Sequence, residues 1–191
     1  MLKEKVAVHI CRKERTEASP AGFFGTDFRK KSDVQPYLKG GYCLGRIMGL
    51  DFGAKTTGVA LSDPSGTIAS PLETIVREKE GKLRPTYRRI VELVRDNEVG
   101  LIVVGLPLNM DDSKGERALK AEAFAEDIRY RLEAERLEAE VVMWDERLST
   151  VGADEILEEA GVVSSERKQY IDKIAAALIL EDYMKNGRKD D

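Results

Sequence analysis

Histidine, cysteine and aromatic residues are scarce in this chain of 191 residues, in which aromatics make up 6%. The single histidine is His9 and the two cysteines are Cys11 and Cys43. A metal site built on histidine, or a catalytic triad that depends on one, is therefore not expected. The cysteines form neither a metal-type cluster nor a disulfide framework, which favours a reducing compartment such as the cytoplasm.

Long hydrophobic runs are also absent from the sequence. No stretch approaches the roughly 18 apolar residues that indicate a transmembrane helix. The N-terminus is polar and mixed in charge, without the apolar region of a secretory signal. We therefore expect no membrane association, and the length suffices for one domain with a sizeable core.

The composition changes near residue 45. Residues 1–44 carry nine Lys and Arg against five Asp and Glu, a net charge of +4, which leaves −8 for the rest of the chain. This composition favours a disordered extension, with a basic tail that touches nucleic acid as the alternative. A sharper hypothesis is that the natural protein begins at Leu44, because Lys39-Gly40-Gly41 can be encoded by a ribosome-binding sequence and Leu44 by the start codon UUG.

The sequence predicts an α/β domain over residues 45–187, with a short tail over 188–191. Three apolar, β-branched runs separated by turn residues predict strands that pair as hairpins, and the later strands alternate with helical patterns. A mixed five-stranded sheet with helices on both faces is expected. The element order is βββαβαβαα, with strands at 46–52, 56–63, 67–76, from 101 and from 140, and helices at 83–99, 115–135, 150–161 and 166–187.

Carboxylates stand at the rims of three of these elements. Asp51 ends the first strand, and Asp145 with Glu146 ends the fifth. Asp172 precedes the alanine-rich part of the last helix. Each has a simple alternative role: a turn cap for Asp51, an ion pair with Arg147 for the adjacent acids, and an acid near a helix N-terminus for Asp172. Together they are the ligands that a hard divalent ion uses, and two Mg²⁺ or Mn²⁺ ions can activate water and stabilise the leaving oxygen at a phosphodiester.

Four segments, spread over residues 46–184, resemble the YqgF family of pre-16S rRNA nucleases, also described as Holliday-junction-resolvase-like. They are MGLDFGAKTTGVALSD, VVGLPLNMDDSKGERA, WDERLST and IDKIAAALIL, in the same order and with similar spacing. The resemblance implies an RNase H-like fold, a cytoplasmic location and trimming of the 5′ end of the 16S rRNA precursor. It implies Asp51, Glu146 and Asp172 as the catalytic, metal-binding acids.

Two assignments near these acids have alternatives. Consecutive strand residues point to opposite faces, so one of Asp145 and Glu146 faces Asp51 if the strand is regular. We favour Glu146 as the metal ligand, with Asp145 as a supporting or capping group. Asn109, in a segment that matches a family loop, either orients a phosphate or a water or belongs to a plain strand-to-helix turn.

Local basic groups can bring a polyanion to a domain whose net charge is negative. The candidates for substrate binding are Lys55 in the first hairpin turn, Lys114 and Arg117 at the start of the second helix, and Arg167 and Lys168 before Asp172. A more distant group lies along the first helix, at Arg84, Arg88, Arg89 and Arg95. Solvated surface charges are the alternative for all of them. No aromatic platform for reading bases is evident, so recognition by backbone and shape is expected.

Two further classes of function fit parts of the sequence. DFGAKTTGVAL resembles the hairpin that surrounds ATP phosphates in sugar kinases, actin and chaperone ATPases, but the chain is too short for the two such domains those proteins need. The second of these classes is a non-catalytic module that binds nucleic acid or assists ribosome assembly. Precursor rRNA and branched DNA offer the same phosphodiester, so the substrate stays open, as does the choice between monomer and dimer.

Overall fold

The computed structural model describes residues 45–109, 111, 113–146, 149–162 and 164–187. The side chains of residues 149–152, 164–166, 168 and 169 are not described. The expectations for residues 1–44, for Arg147 and for the tail over 188–191 lie outside this part of the chain. Among the described helices, none is both long and apolar enough to cross a membrane.

Three antiparallel strands open the domain: β1 Arg46–Phe52, β2 Thr56–Ser62 and β3 Ala69–Val76. The turn between β2 and β3 is held by Asp63, whose carboxylate accepts hydrogen bonds from three backbone N–H groups of that turn. Gly66 supplies the positive φ, 64°, that the turn requires. The predicted meander is confirmed.

Two parallel strands complete the sheet: β4 Val99–Leu106 and β5 Glu140–Asp145. Helix α1 Arg84–Asp96 leads from β3 to β4, and α2 Glu116–Ala134 leads from β4 to β5. The strand order is β3-β2-β1-β4-β5, with β4 parallel to β1. The mixed five-stranded sheet is therefore confirmed, and its arrangement is RNase H-like, with β1 at the centre.

Two helices follow the sheet: α3 Ser149–Glu159 and α4 Ser164–Asn186. The segment after α3 closes in a Schellman motif. Gly161 has φ 73° and donates its N–H to the carbonyl of Glu158, while the next N–H bonds back to Leu157. The predicted helix ends at residue 161, where this glycine lies, and α4 begins two residues earlier than the sequence predicts.

The sheet has two buried faces because alternate strand residues point to opposite sides. On the side that we call the α1/α2 face, strand side chains such as Met48 and Ile102 pack against both helices and their aromatic rings. On the other side, the α4 face, Ile47 and Val103 pack against small residues of α4 such as Ala176. Strand β4 supplies side chains to both cores and is therefore buried on both sides of the sheet. Helix α3 packs on α4.

Contact between α4 and the sheet is close enough to involve backbone atoms. A Cβ on Gly49 of β1 would lie 2.5 Å from the carbonyl oxygen of Ala176 and 2.8 Å from the Cβ of Leu180. Any side chain at this position would push the helix outward. The absence of a side chain at Gly49 therefore fixes how near α4, with its carboxylate Asp172, comes to the central strand.

Candidate functional site

Asp51 lies at the end of the central strand, one residue before β1 ends, and its side chain is half-buried. Burial and, after it, the negative charge of Asp172 together raise the pKa of this carboxyl from 3.8 to about 7, against the opposing positive charge of Arg117. In this environment the ionised form of the carboxyl group is unfavourable unless a cation lies beside it. The strand end therefore presents a group that would gain from binding a positive ion.

Glu146 is the first residue after β5, and its backbone N–H donates to the carbonyl of Leu106, 3.3 Å away, at the end of β4. Its Oε2 atom is buried and has no hydrogen-bond partner within the described part of the chain. A Cβ on Gly105 would lie 1.9 Å from this oxygen, so glycine makes room for the carboxylate. Burial, followed by the charge of Asp51, raises the pKa of Glu146 to about 8.

Asp172 reaches the same place from the α4 face. A Cβ on Gly58 would lie 1.9 Å from the carbonyl oxygen of Asp172, so the helix backbone rests directly on β2 at that residue. Gly58 is the partner of Asp51 in the β1–β2 ladder. Asp172 lies well inside α4, so a favourable charge near a helix N-terminus does not explain its position.

These three acids converge on one end of the sheet from β1, from the residue after β5 and from α4. Their oxygens, two raised carboxyl pKa values and an unpartnered buried oxygen fit a hard divalent cation such as Mg²⁺ or Mn²⁺. Among the His, Cys, Asp and Glu side chains that the structure describes, no group of three or more is placed to hold a metal ion as it stands. The donor chemistry fits a metal, but a finished coordination shell is not preformed.

Asp145 and Glu146 differ in their surroundings although they are adjacent. Asp145 is the last residue of β5, paired with Leu106, and is half-buried. Its negative charge contributes to raising the pKa of Glu146, after burial and the charge of Asp51. Glu146 is thus the carboxylate of the pair that lies against Gly105 and within the field of Asp51.

The predicted basic residues divide into different environments. Arg117, in the first turn of α2, is exposed, and its positive charge lowers the pKa of both Asp51 and Glu146. Lys114 is exposed, and its Nζ lies 2.5 Å from Glu122 Oε1. Lys55 is exposed in the β1–β2 turn. The electrostatic influence of Arg117 on two of the acids places it near their site.

Arg167 has a different setting, at the junction of α3 and α4. It donates to the carbonyl of Val162 at 2.9 Å and pairs with Asp154 and Glu158 at 3.4 and 3.2 Å. Its side chain is 18% exposed. These contacts give it a structural role in holding the two helices together. The side chain of Lys168 lies outside the described residues, so its predicted phosphate contact stays a prediction.

Asn109 shapes the loop between β4 and α2. Its backbone N–H donates to the carbonyl of Ser113 at 3.0 Å, and its Nδ2 donates to Ser113 Oγ at 2.8 Å. Asp111 accepts from the same serine hydroxyl at 2.6 Å. The Asn109 amide lies about 3.5 Å from where a Cβ on Gly115 would be, just before α2. The turn-forming alternative for Asn109 has direct contacts in its favour.

Arg77 is a residue near the site that the sequence did not reveal. It follows β3, is 5% exposed, and lies with its guanidinium 4.9 Å from the ring centre of Phe52. It donates to Thr57 Oγ1 at 2.6 Å and to the carbonyl of Gly53, which fastens the hairpin next to Asp51. Burial lowers the pKa of Arg77. Because it precedes the charged run EKEGK, it resembles a solvated residue in the sequence.

A sheet of this order, with carboxylates gathered at the end of its central strands, defines a domain of the RNase H-like class. The chain also matches the RuvX family, described as "Holliday junction resolvase", over residues 45–186. The protein therefore belongs to the RuvX family. This result confirms the resemblance drawn from the four sequence segments.

Relatives in several bacteria cover the same part of the chain. The chain is 51% identical over 144 residues to a Lachnospira eligens protein named "Putative pre-16S rRNA nuclease", covering 75% of this chain and 99% of that protein. Identically named proteins are 43% identical over 146 residues in Agathobacter rectalis (75% and 99% covered) and 48% identical over 140 residues in Bacillus cereus (73% and 97%).

Among solved structures, the chain is similar to Thermus thermophilus RuvC in complex with a Holliday junction substrate. The TM-score is 0.47 and the identity 13%, over 75% of this chain and 97% of that one. It is also similar to the yeast mitochondrial Holliday junction resolvase Ydc2, with a TM-score of 0.44 and 12% identity over 74% and 78% of the two chains.

Proposed function

We propose that this protein is a metal-dependent endonuclease that hydrolyses phosphodiester bonds and processes the 5′ end of pre-16S rRNA. The observation that carries the proposal is the buried, unpartnered Oε2 of Glu146, in the field of Asp51 at the end of the central strands. A buried carboxylate oxygen without a partner destabilises a fold unless a ligand uses it. The names of the relatives supply the substrate class.

The residues that would hold the metal are Asp51, Glu146 and Asp172. When bound, a pair of Mg²⁺ or Mn²⁺ ions, the number expected from the sequence, would supply an activated water and stabilise the leaving oxygen. Without metal, the pKa values of about 7 for Asp51 and about 8 for Glu146 keep both carboxyls largely protonated below neutral pH. Metal binding therefore displaces protons from these two groups. Asp145 is proposed as a supporting acid, and Glu146 rather than Asp145 as the ligand.

Substrate phosphates would approach between the β1–β2 turn and the start of α2. Gly115, the N-cap of α2, has no side-chain hydrogen bond to the helix end within the described residues, so the first-turn N–H groups remain available to an anion. Arg117 lies in that turn, with Lys114 just before it and Lys55 in the hairpin. We propose that Arg117 binds a phosphate beside the acids, with the two lysines as weaker contacts.

Branched DNA is the alternative substrate, and the family description favours it specifically. A non-catalytic module is less well supported, because buried acids in an inert protein are usually paired, whereas Glu146 keeps an unpartnered oxygen. If pre-16S rRNA is the substrate, the protein acts in the cytoplasm, as its cysteine usage also suggests.

One experiment tests the proposal: purified protein with Mg²⁺ or Mn²⁺ is offered labelled precursor RNA and four-way DNA side by side. We expect cleavage that EDTA abolishes, with RNA preferred. Asp51→Asn should keep the fold and lower the rate by orders of magnitude, since it removes a charge from the metal site with little change of shape. Preference for four-way DNA would favour the alternative substrate. Equal cleavage by Asp51→Asn, free of contaminating nuclease, would contradict the assignment of Asp51.

A further inference from the structure

A groove of about 680 Å³ lies on the outer surface of the α1/α2 face, between the first half of α1 and the second half of α2. Four cationic side chains line it, together with two tyrosines: Lys82, Arg84, Arg88, Arg131, Tyr87 and Tyr130. The single acid in its lining is Glu135, which pairs with Arg95 at 3.0 Å. A cluster of cations in a region of the chain with a net charge of −8 is complementary to a polyanion.

The cations of the groove are only partly neutralised by the protein itself. The guanidinium of Arg131 lies over the ring of Tyr87, 4.2 Å from its centre, and its Nε is buried without a hydrogen-bond partner in the described part of the chain. Arg84 makes no ion pair there, and Arg88 meets Glu92 at 3.9 Å, on the edge of contact. Because Lys82 pairs with Glu78 at 2.5 Å, an incoming phosphate would chiefly meet Arg84 and Arg88.

The groove is connected to the acidic site through a stack of rings. Tyr87 lies 5.3 Å from Phe124, and Phe124 lies 4.1 Å from Phe52, the neighbour of Asp51. Tyr130, on the groove wall, is 71% exposed and offers a free ring face on which a base can stack.

We propose that this groove binds the sugar–phosphate backbone of single-stranded RNA that flanks the segment held at the acids. The proposal rests on the proposed function for the identity of the ligand, but the groove makes no contact with the acids. Arg84, Arg88 and Arg131 hold phosphates, and Tyr130 stacks on one base. The acidic site would therefore act on RNA that is also held at a second surface.

The test measures binding of a labelled oligouridylate of about 20 nucleotides, longer than the roughly 4–16 that one single-strand-binding domain covers. It is done in EDTA at several salt concentrations. Arg84→Ala with Arg88→Ala should weaken binding roughly fivefold to tenfold and flatten the log–log salt dependence by about 1–1.5 units. The matched control is Lys185→Ala on α4, whose partner is Glu181, and it should leave both quantities unchanged. An unchanged slope in the double variant would overturn the proposal.

A second arm distinguishes RNA from an acidic protein as the occupant. Tyr130→Ala should weaken oligouridylate binding at least about fivefold and leave binding of polyglutamate unchanged, because only RNA carries bases to stack. Tyr130→Phe should restore RNA affinity. If Tyr130→Ala weakened both ligands alike, the assignment to nucleic acid would be overturned in favour of a protein site. Since binding is measured without metal, a failure of metal-dependent cleavage would count against the proposed function and not against this groove.

Discussion

On the α1/α2 face of the sheet, Phe52, Phe124 and Tyr87 stack in succession, whereas on the α4 face the strands meet helix backbone at Gly49 and Gly58. Bulky rings fill the first core, and their outer end carries the cations of the groove. In the second core, glycines of the strands and alanines of α4 lie among larger aliphatic residues, and where they meet they bring the helix within contact of the strand. Large residues thus separate layers on one side, and small residues bring layers together on the other.

The acidic site lies where the two packing modes meet. Asp51 is followed by Phe52, which belongs to the ring stack, and is paired with Gly58, on which Asp172 rests. Arg117 comes from the α1/α2 face, and Asp172 comes from the α4 face. Positive charge therefore reaches the acids from one side of the sheet and a further negative charge from the other. We therefore expect substitutions on the α4 face to weaken metal binding, and substitutions on the α1/α2 face to weaken RNA binding.

The largest expected effect comes from Gly58→Ala, which puts a methyl group against the backbone of α4. The added Cβ would lie 1.9 Å from the carbonyl oxygen of Asp172, and neither backbone can yield locally. We expect a loss of about 3 kcal/mol or more in the free energy of unfolding. The metal-induced rise in melting temperature should fall as well, because Asp172 moves away from Asp51.

The control for this variant is Gly81→Ala, where an added Cβ would meet no described atom within 4 Å. Its unfolding free energy should stay close to that of the wild type. Denaturant titrations and Mn²⁺-dependent melting curves provide the measurements. If Gly58→Ala were as stable as Gly81→Ala and kept its response to Mn²⁺, close approach of α4 would not be what places Asp172.

The next effect is a pH dependence of the unfolding stability, which arises from the carboxyl groups of Asp51 and Glu146. Burial raises the carboxyl pKa of Asp51 from 3.8 to about 7 and that of Glu146 from 4.5 to about 8, so the folded protein holds more protons than the unfolded chain between these limits. Stability without metal should therefore fall by several kcal/mol as the pH rises from about 5 to about 8.

Urea titrations in EDTA across this range measure the decline. Glu146→Gln should reduce the decline, because a neutral amide does not titrate, and Asp145→Asn should change it less. Saturating Mn²⁺ should restore stability at the alkaline end in the wild type, more than in Glu146→Gln. A larger effect of Asp145→Asn on the Mn²⁺ response would reverse the choice of ligand between the two acids.

A smaller effect is expected at Arg77, beneath the hairpin on the α1/α2 face. Arg77→Lys keeps the charge but cannot donate to both Thr57 and Gly53 with the same geometry. We expect a loss of about 1–3 kcal/mol in unfolding free energy. Arg89→Lys is the matched control, because Arg89 pairs with Glu73 at the surface and should lose less than about 1 kcal/mol. Equal losses in the two variants would mean that burial of Arg77 adds nothing.

The sequence predicted much of the fold because the strands are coded locally. Apolar runs such as residues 101–104 and the β-branched second strand determine the sheet, and Gly161 marks the end of α3. Boundaries were less well predicted: Val99 was assigned to a helix and opens β4. Helical spacing continues through it, and pairing with Arg46 of β1 decides the outcome.

The site could be predicted only as far as its acids. Nothing in the sequence around Gly58 indicates that the backbone of α4 lies against this residue. Contacts between residues far apart in the chain leave no local pattern. Arg77 shows the same limit, because its role depends on burial under Phe52 and not on its neighbours in sequence. Arg167 was grouped with the phosphate-binding residues because of its sequence position, and its ion pairs to α3 become evident in the structure alone.

The smallest effects are expected from two arginines, one on each side of the sheet. Replacing one should change only RNA binding, and replacing the other should change only stability. Arg117→Ala should flatten the salt dependence of RNA affinity by about 0.7 log units per decade and leave the melting temperature unchanged, because its side chain is exposed near the acids. Arg167→Ala should instead lower stability and leave the salt dependence of RNA affinity unchanged. It removes a hydrogen bond to Val162 and two ion pairs to α3, so the unfolding free energy should fall by about 1 kcal/mol with the salt slope unchanged. Both variants lose one positive charge, so each is the control for the other. RNA titrations in EDTA and melting curves decide between them. A flatter slope for Arg167→Ala would return this residue to the RNA path, and a lower melting temperature for Arg117→Ala would show that the start of α2 depends on it.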